Sequence, residues 1–363
     1  MKQRFFAPGR TELAGNHTDH QNGRVLAAPV DRGVTAEISQ NADGVIRIVS
    51  DGFAQFTVAI DDLTPRETEF GTPQALVRGV AAALREAGGA VCGFDAHVTS
   101  RLKPGGGLSS SAAFEILLGR IFNALCNGGA LDAHTLAELG QQAENRHFGK
   151  PSGLMDQLAC AMDGTVYLDF QTGEVQRLDA DFAAMGLTLC LTDTGGSHAS
   201  LTAAYAEIPA DMRAVAARFG AERLADVPPE TFFAHREPGR AFDRAAHFFA
   251  ENERVPQMRD ALLRRDASAY LRLMNASGRS SETLLRNIRA PMGDDRLERA
   301  LALSARLLDG AGAWRVHGGG FAGCVQALLP DAAFPAYQAA MDAAFGAGAC
   351  QKIKITGTVN PFR

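Results

Sequence analysis

The sequence predicts an α+β protein of two domains, and three observations carry that expectation. The chain has 363 residues, more than the roughly 100–200 of a typical domain. Its first half alternates short strand-like and helix-like patterns. Its second half changes texture: most of 200–310 reads as helix, and the C-terminal part returns to strand, glycine turn, strand, helix and strand. The change-over falls near 185–200.

Each early element has a local reason. Residues 34–38, 45–49 and 56–60 read as strands separated by Asn41, Asp43 and Gly52, which favour turns. Residues 73–87 place Leu76, Val80 and Leu84 four apart, the spacing of a buried helix face, before Gly88-Gly89 stops the pattern. A strand at 94–99 follows. Residues 109–126 carry Ile116, Leu117, Phe122 and Leu125 in an apolar helix closed by Gly128-Gly129. Asp132 suits the N-cap of a further helix running to about His147, and another helix starts near Pro151-Ser152. Strands are expected near 165–170 and 187–192.

Composition narrows the function. Hydrophobic residues make up 46% and charged residues 21%, which excludes global disorder. Net charge is 36 − 41 = −5, without the broad positive field that holds a nucleic-acid backbone. Any anion must therefore meet a local device. The six cysteines are widely spaced, with no C-x-x-C pair, so reduced thiols in a cytoplasm fit better than a disulfide framework or a zinc site. The charged N-terminus with its early Pro8-Gly9 does not read as a signal peptide, and no apolar run is long enough to span a membrane.

The local anion device is legible at Gly105-Gly106-Gly107-Leu108-Ser109-Ser110-Ser111, between a strand and a buried helix. Glycines let backbone N–H groups approach a phosphate, and the helix start adds unpaired amides and a positive dipole end. A glycine turn followed by a serine N-cap is the alternative reading. A Walker A loop needs a lysine that Leu108-Ser109-Ser110 lacks, and a dinucleotide fingerprint needs glycine where Ser110 stands. Three further segments stand out. Pro8 to His20 packs polar residues between glycines, too polar for a strand core and too dense for a linker. Pro151-Ser152-Gly153-Leu154-Met155-Asp156-Gln157 puts a carboxylate at a helix start. His317-Gly318-Gly319-Gly320-Phe321-Ala322-Gly323-Cys324 forms a second glycine loop.

These four segments, in this order across nearly the whole chain, resemble the motifs of the GHMP kinases, a family of small-molecule kinases, and most closely its galactokinase branch. The resemblance implies the two-domain GHMP kinase fold. A ribosomal protein S5 domain 2-like N-terminal domain (1–190) would hold the ATP loop and the aspartate, and a ferredoxin-like C-terminal domain (191–363) would close the active site. It implies ATP-dependent phosphorylation of a sugar at its anomeric hydroxyl, with ATP and Mg²⁺ as cofactors. Sugar and ATP would be the partners of a monomer or weak oligomer that binds neither nucleic acid nor membrane.

By the same resemblance Asp156 is the catalytic base and Arg10 its charge partner. On unaided reading Asp156 would be a helix-start residue and Arg10 a surface arginine. Gly105, Gly106, Gly107, Leu108, Ser109, Ser110 and Ser111 would bind ATP. Ser110 and Glu144 would hold Mg²⁺, although Glu144 also reads as a solvated helix residue. Asn16, His17, Asp19, Gly153 and Tyr205 would line the sugar. Tyr205 lies seven residues after His198 and reads equally as core.

Several positions depart from the galactokinase pattern. Asn16 stands where a glutamate is associated with the C6 side of the sugar, His20 replaces a tyrosine, Lys103 a proline, and His317 a threonine. A neutral amide at 16 repels a 6-carboxylate less than an acid does, so a uronic acid such as galacturonate is an alternative substrate. A sugar-sensing protein without catalysis is the other alternative.

Overall fold

The computed structural model describes residues 2–103, 105–196, 201–290 and 293–357. Seven described strands form the first sheet: β1 (Gln3–Ala14), β2 (Arg24–Gln40), β3 (Val45–Ser50), β4 (Phe56–Ala59), β5 (Phe94–Ser100), β6 (Thr165–Asp169) and β7 (Glu174–Leu178). Strand β2 organises it, because its 17 residues pair with β1 along most of their length, with β5 at one end and with β6 at the other. The β3–β5 pair is parallel, and the helical crossover such a pair requires is α1 (Pro73–Glu86). Thr72 caps α1 by accepting from Ala75 N at 3.3 Å, with Pro73 in the first turn.

Helices α2 (Ser110–Cys126), α3 (Ala133–Ala143) and α4 (Met155–Ala161) complete the first half. In α2, Ala112, Ala113, Ile116, Leu117, Ile121 and Phe122 are buried in the main core. At about 1.5–3 kcal/mol per large apolar side chain, this face fixes α2 and the loop at its N-terminus. The helix expected to reach His147 ends as an α-helix at Ala143 and continues as one wide π-type turn, Glu144–Phe148, closed by Gly149 in the left-handed region. The helix expected near Pro151 starts later, at Met155.

The second sheet is antiparallel, in the order β11-β8-β10-β9, from β8 (Leu187–Asp193), β9 (Ala313–His317), β10 (Cys324–Pro330) and β11 (Cys350–Lys352). The expected boundary at 190/191 falls inside β8; sheet membership changes between Leu178 and Leu187. The helices are α5 (Thr202–Arg218), α6 (Pro229–Ala234), α7 (Arg240–Leu263), α8 (Ala267–Ser280), α9 (Arg296–Leu308) and α10 (Phe334–Phe345). Phe232, Phe242, Phe248 and Phe249 centre an aromatic core among α5, α6 and α7. None of the described helices is long and apolar enough to cross a membrane.

One expectation about local structure is overturned. The polar run from Pro8 belongs to β1, where every residue from Ala7 to Ala14 is buried. Thr11 and Glu12 are paired by the second half of the chain. Arg315, itself buried, lies 2.9 Å from the Glu12 carboxylate and donates to Glu12 O at 2.7 Å. Gln326 donates to Thr11 Oγ1 and to Glu12 O at 2.9 and 2.8 Å.

Candidate active site

Two loops and a helix start converge where β1 meets α2. Asp156, the second residue of α4, accepts from Arg10 Nε at 2.7 Å on Oδ1 and from Ser109 Oγ at 2.5 Å on Oδ2. Arg10 NH1 also donates to Gly107 O at 2.7 Å. One guanidinium therefore ties the glycine loop to the carboxylate, and Arg10 is not a surface residue: its side chain is 6% exposed. Burial alone would raise the Asp156 pKa, but the Arg10 charge and hydrogen bond, the Lys150 charge and the Ser109 hydroxyl bring it down to about 2. Asp156 is ionised at neutral pH.

Ser109 pays for its place with backbone strain. It sits at φ 52°, a left-handed conformation costly for a residue with a Cβ, and its hydroxyl points at Asp156 instead of capping α2. Gly107, at φ 79°, is required on two counts: a Cβ there would meet Cys324 Sγ at 2.9 Å and His317 Nδ1 at 3.1 Å. The loop thus lies against the second sheet.

Glu144, buried in the π-type turn, gathers a second cluster. Its Oε1 accepts from Ser111 Oγ and Lys150 Nζ, both at 2.8 Å, and its Oε2 from Ser152 Oγ at 2.6 Å and Gln157 Nε2 at 2.9 Å. The hydroxyl bonded to Glu144 is that of Ser111, next to Ser110 in the first turn of α2; adjacent helical residues face about 100° apart. Burial works against the Lys150 charge, yet Glu144 and Asp156 hold its pKa above the ordinary lysine value. A hydroxyl and a carboxylate 2.8 Å apart are hard oxygen donors of the kind Mg²⁺ takes alongside phosphate oxygens and water. The Lys150 ammonium on the same carboxylate oxygen shows that this position favours a cation.

The turn between β1 and β2 carries the expected sugar residues. Asp19 lies so close to Gly153 that a Cβ on the glycine would come within 1.8 Å of Asp19 Oδ2. Burial and the nearby Asp156 charge push the Asp19 pKa up to about 7, against hydrogen bonds from the His20 and Met155 backbone. Asp19 and Asp156, two carboxylates close enough to feel each other's charge, thus carry widely separated pKa values.

His17 and Asn16 are committed to the protein. Burial lowers the His17 pKa to about 4, and its ring nitrogens face Gly319 O at 3.0 Å and His20 Nε2 at 3.2 Å. Asn16 is 1% exposed. Its Nδ2 donates to Gly318 O at 2.7 Å, and its Oδ1 accepts from Asn287 Nδ2 at 3.1 Å and Ser281 Oγ at 3.2 Å. The Asn16 amide thus joins this turn to the second glycine loop and to Ser281 and Asn287. Tyr205 packs against Phe321 and donates to Gly320 O at 2.6 Å, which places it on that same loop. Ser197 and His198, from which its spacing was counted, lie outside the described residues. His317 is buried, its Nε2 accepting from Glu12 N at 3.2 Å.

The structure brings together Arg10, Gly107, Ser109 and Asp156 in one cluster, Ser111 and Glu144 in a second, and Asp19 and Gly153 in a third. Sequence reasoning missed Lys150 and Ser152 as partners of Glu144. A lysine and a serine flanking Pro151 six to eight residues after an acid were the only signal, and helical periodicity does not reach across that break.

A family model described as the GHMP kinases N terminal domain matches residues 75–164, and one described as the galactokinase galactose-binding signature matches residues 2–40. The galactokinase of Streptomyces coelicolor is 33% identical over 354 residues, covering 94% of this chain and 88% of that protein. That of Exiguobacterium sibiricum is 32% identical over 358 residues, covering 94% and 88%. Among solved structures, Lactococcus lactis galactokinase complexed with galactose superposes with a TM-score of 0.88 at 23% identity, over 99% of this chain and 94% of that one. Mevalonate kinase of Methanococcus jannaschii follows the same fold at a TM-score of 0.68 and 15% identity, over 98% of each chain.

Proposed function

We propose a mechanism from one premise: the chain belongs to the galactokinases, within the GHMP kinase family. It is an ATP-dependent sugar kinase acting at the anomeric hydroxyl, and the proposed sugar is galactose. The observation that carries the mechanism is the Asp156 carboxylate, held ionised by Arg10 and Ser109 beside the glycine loop.

In this reading the backbone amides of Gly105 to Ser111 and the start of α2 hold the phosphates of ATP. Asp19 and the backbone at Gly153 orient the sugar, Asp19 accepting from its hydroxyls. Asp156 receives the proton of the attacking hydroxyl. A carboxylate with a pKa near 2 is a weak base, which suits phosphoryl transfer: the transition state is loose, and the proton moves late. Arg10 balances the negative charge that gathers between Asp156 and the phosphates. Ser111 and Glu144 would hold Mg²⁺, which supplies positive charge to the phosphate oxygens. The proposed setting is the cytoplasm, as a monomer or weak oligomer without nucleic-acid or membrane partners. Six free cysteines and a net charge of −5 support it.

Galacturonate is the alternative sugar, because a neutral amide stands at Asn16 where an acid would repel a 6-carboxylate. An ADP-release assay with ATP, Mg²⁺ and a sugar panel should give the highest kcat/KM on galactose. High turnover of galacturonate with little on galactose would overturn that choice. Sugar binding with no ADP formed would point to a sensor.

The Asp19 carboxyl sets an expected pH dependence. Its pKa is raised to about 7 in the sugar-free protein, so the accepting, ionised form is lost as pH falls through 7. At saturating ATP, kcat/KM for the sugar should fall about tenfold per pH unit below that point. Asp19→Asn should remove this limb together with most of the activity. A wild-type profile flat from pH 5.5 to 8 would take Asp19 out of the sugar site.

A further inference from the structure

Helix α7 holds both ends of the turn that carries Asp19, although it lies more than 200 residues further along the chain. Glu251, fully buried, accepts on its Oε1 from Gly15 N at 3.2 Å, Asn16 N at 3.4 Å and Ser277 Oγ at 2.7 Å. Its Oε2 takes Arg254. One turn earlier, the His247 ring donates from Nε2 to Asn16 O at 2.9 Å. One residue later, Asn252 Oδ1 accepts from Arg24 N at 2.6 Å, where the turn enters β2. Positions 247 and 251, four apart, share one helix face, and 248 and 252 the face beside it; Phe248 packs where a Cβ on Gly23 would fall, 2.8 Å away.

Backbone groups at positions 15, 16 and 24 thus end on three side chains of one helix. The Glu251 end of this grip is ionised. Burial opposes its charge, but Arg254, His247 and Arg315, together with the Ser277 hydroxyl, lower its pKa to about 2. Hydrogen bonds to an ionised acceptor are the stronger kind, and Gly15, at φ 96°, has a backbone that no intrinsic preference of its neighbours would fix. None of these α7 side chains belongs to the carboxylate, loop or Glu144 clusters.

We infer that Glu251 is a positioning residue for the sugar: it acts through Gly15 and Asn16 to hold the turn where Asp19 meets Gly153, and it leaves the nucleotide side untouched. This inference rests on the sugar-kinase reading for its kinetic consequence, but the grip itself can be measured without any sugar.

The test compares Glu251→Ala and Glu251→Gln with the wild-type protein. In Glu251→Ala the sugar KM should rise about tenfold or more, as expected for losing hydrogen bonds to a charged acceptor, while binding of a fluorescent ATP analogue stays within twofold or so. Glu251→Gln keeps an acceptor in the Oε1 position and should recover most of the loss. Amide hydrogen exchange over residues 15–24 should quicken in Glu251→Ala, with exchange over 105–111 unchanged. Unchanged exchange at 15–24, or equal losses of sugar and nucleotide affinity, would overturn the inference. If the wild type phosphorylates no sugar on the panel, the functional reading fails while the exchange result still judges the grip. Should Glu251→Ala not fold, His247→Leu tests the hold on Asn16 O by the same two readouts, with the same results for and against.

Discussion

Replacing Asp156 with Asn is expected to lower kcat by about 10³-fold, within the range for loss of a general base, with ATP affinity nearly unchanged. Both carboxylate oxygens are in use, one toward Arg10 Nε and one toward Ser109 Oγ. An amide offers only one acceptor. Among the described residues no second carboxylate pairs with Arg10, and a further side-chain bond goes to the Gly107 carbonyl. The amide oxygen is therefore drawn to Arg10, and the NH₂ group faces Ser109, whose hydroxyl can rotate to accept. The fold survives, but the anion that receives the proton is gone. Steady-state kcat beside a nucleotide-binding titration separates the two effects, and near-normal turnover would remove Asp156 from the role of base.

The second large effect is expected from a single methyl group. Gly153→Ala would place a Cβ 1.8 Å from Asp19 Oδ2 and 2.4 Å from its Cγ, so one side must move. The Gly153 side is held firmly: Ser152 Oγ donates to Glu144 Oε2 at 2.6 Å, Ser152 N to Asn145 Oδ1 at 2.8 Å, and Ser152 O accepts from Gln141 Nε2 at 3.1 Å. Asp19 is the part that yields. Displacement of a positioning group by an ångström costs on the order of 10²-fold, and kcat/KM for the sugar should fall by about that much. Nucleotide binding should change little, because the three atoms nearest the added Cβ all belong to Asp19. Wild-type kcat/KM in the alanine variant would mean that Asp19 does not hold the sugar.

Legibility in the sequence followed the range of the interactions. The glycine loop and α2 were readable because glycine punctuation and a buried apolar face are local signals. Asp156 was readable as the carboxylate of a helix start, although the start itself came later than expected, at Met155. Strand β1 was misread for a physical reason. Arg10, Thr11 and Glu12 look like surface residues until Asp156, Gln326 and Arg315 cover them, and those partners lie 146 to 315 positions away. The partners of the Asn16 amide, Gly318, Ser281 and Asn287, are just as far away along the chain. That Ser111 is the serine bonded to Glu144 depends on side-chain direction around the helix, which a linear motif does not carry.

The pairing of β1 with the second half also bears on how the protein is made. During synthesis the side chains of Thr11 and Glu12 and the Glu12 carbonyl emerge early, but Arg315 and Gln326 follow some 300 residues later. At about 5–20 residues per second, the ribosome leaves the nascent β1 without those partners for roughly 15 to 60 s. Over that interval the first sheet has to tolerate an unfinished polar strand beside β2. The growing chain is most exposed to misassembly before residues 313–330 arrive, and helpers that shield it would act within that window.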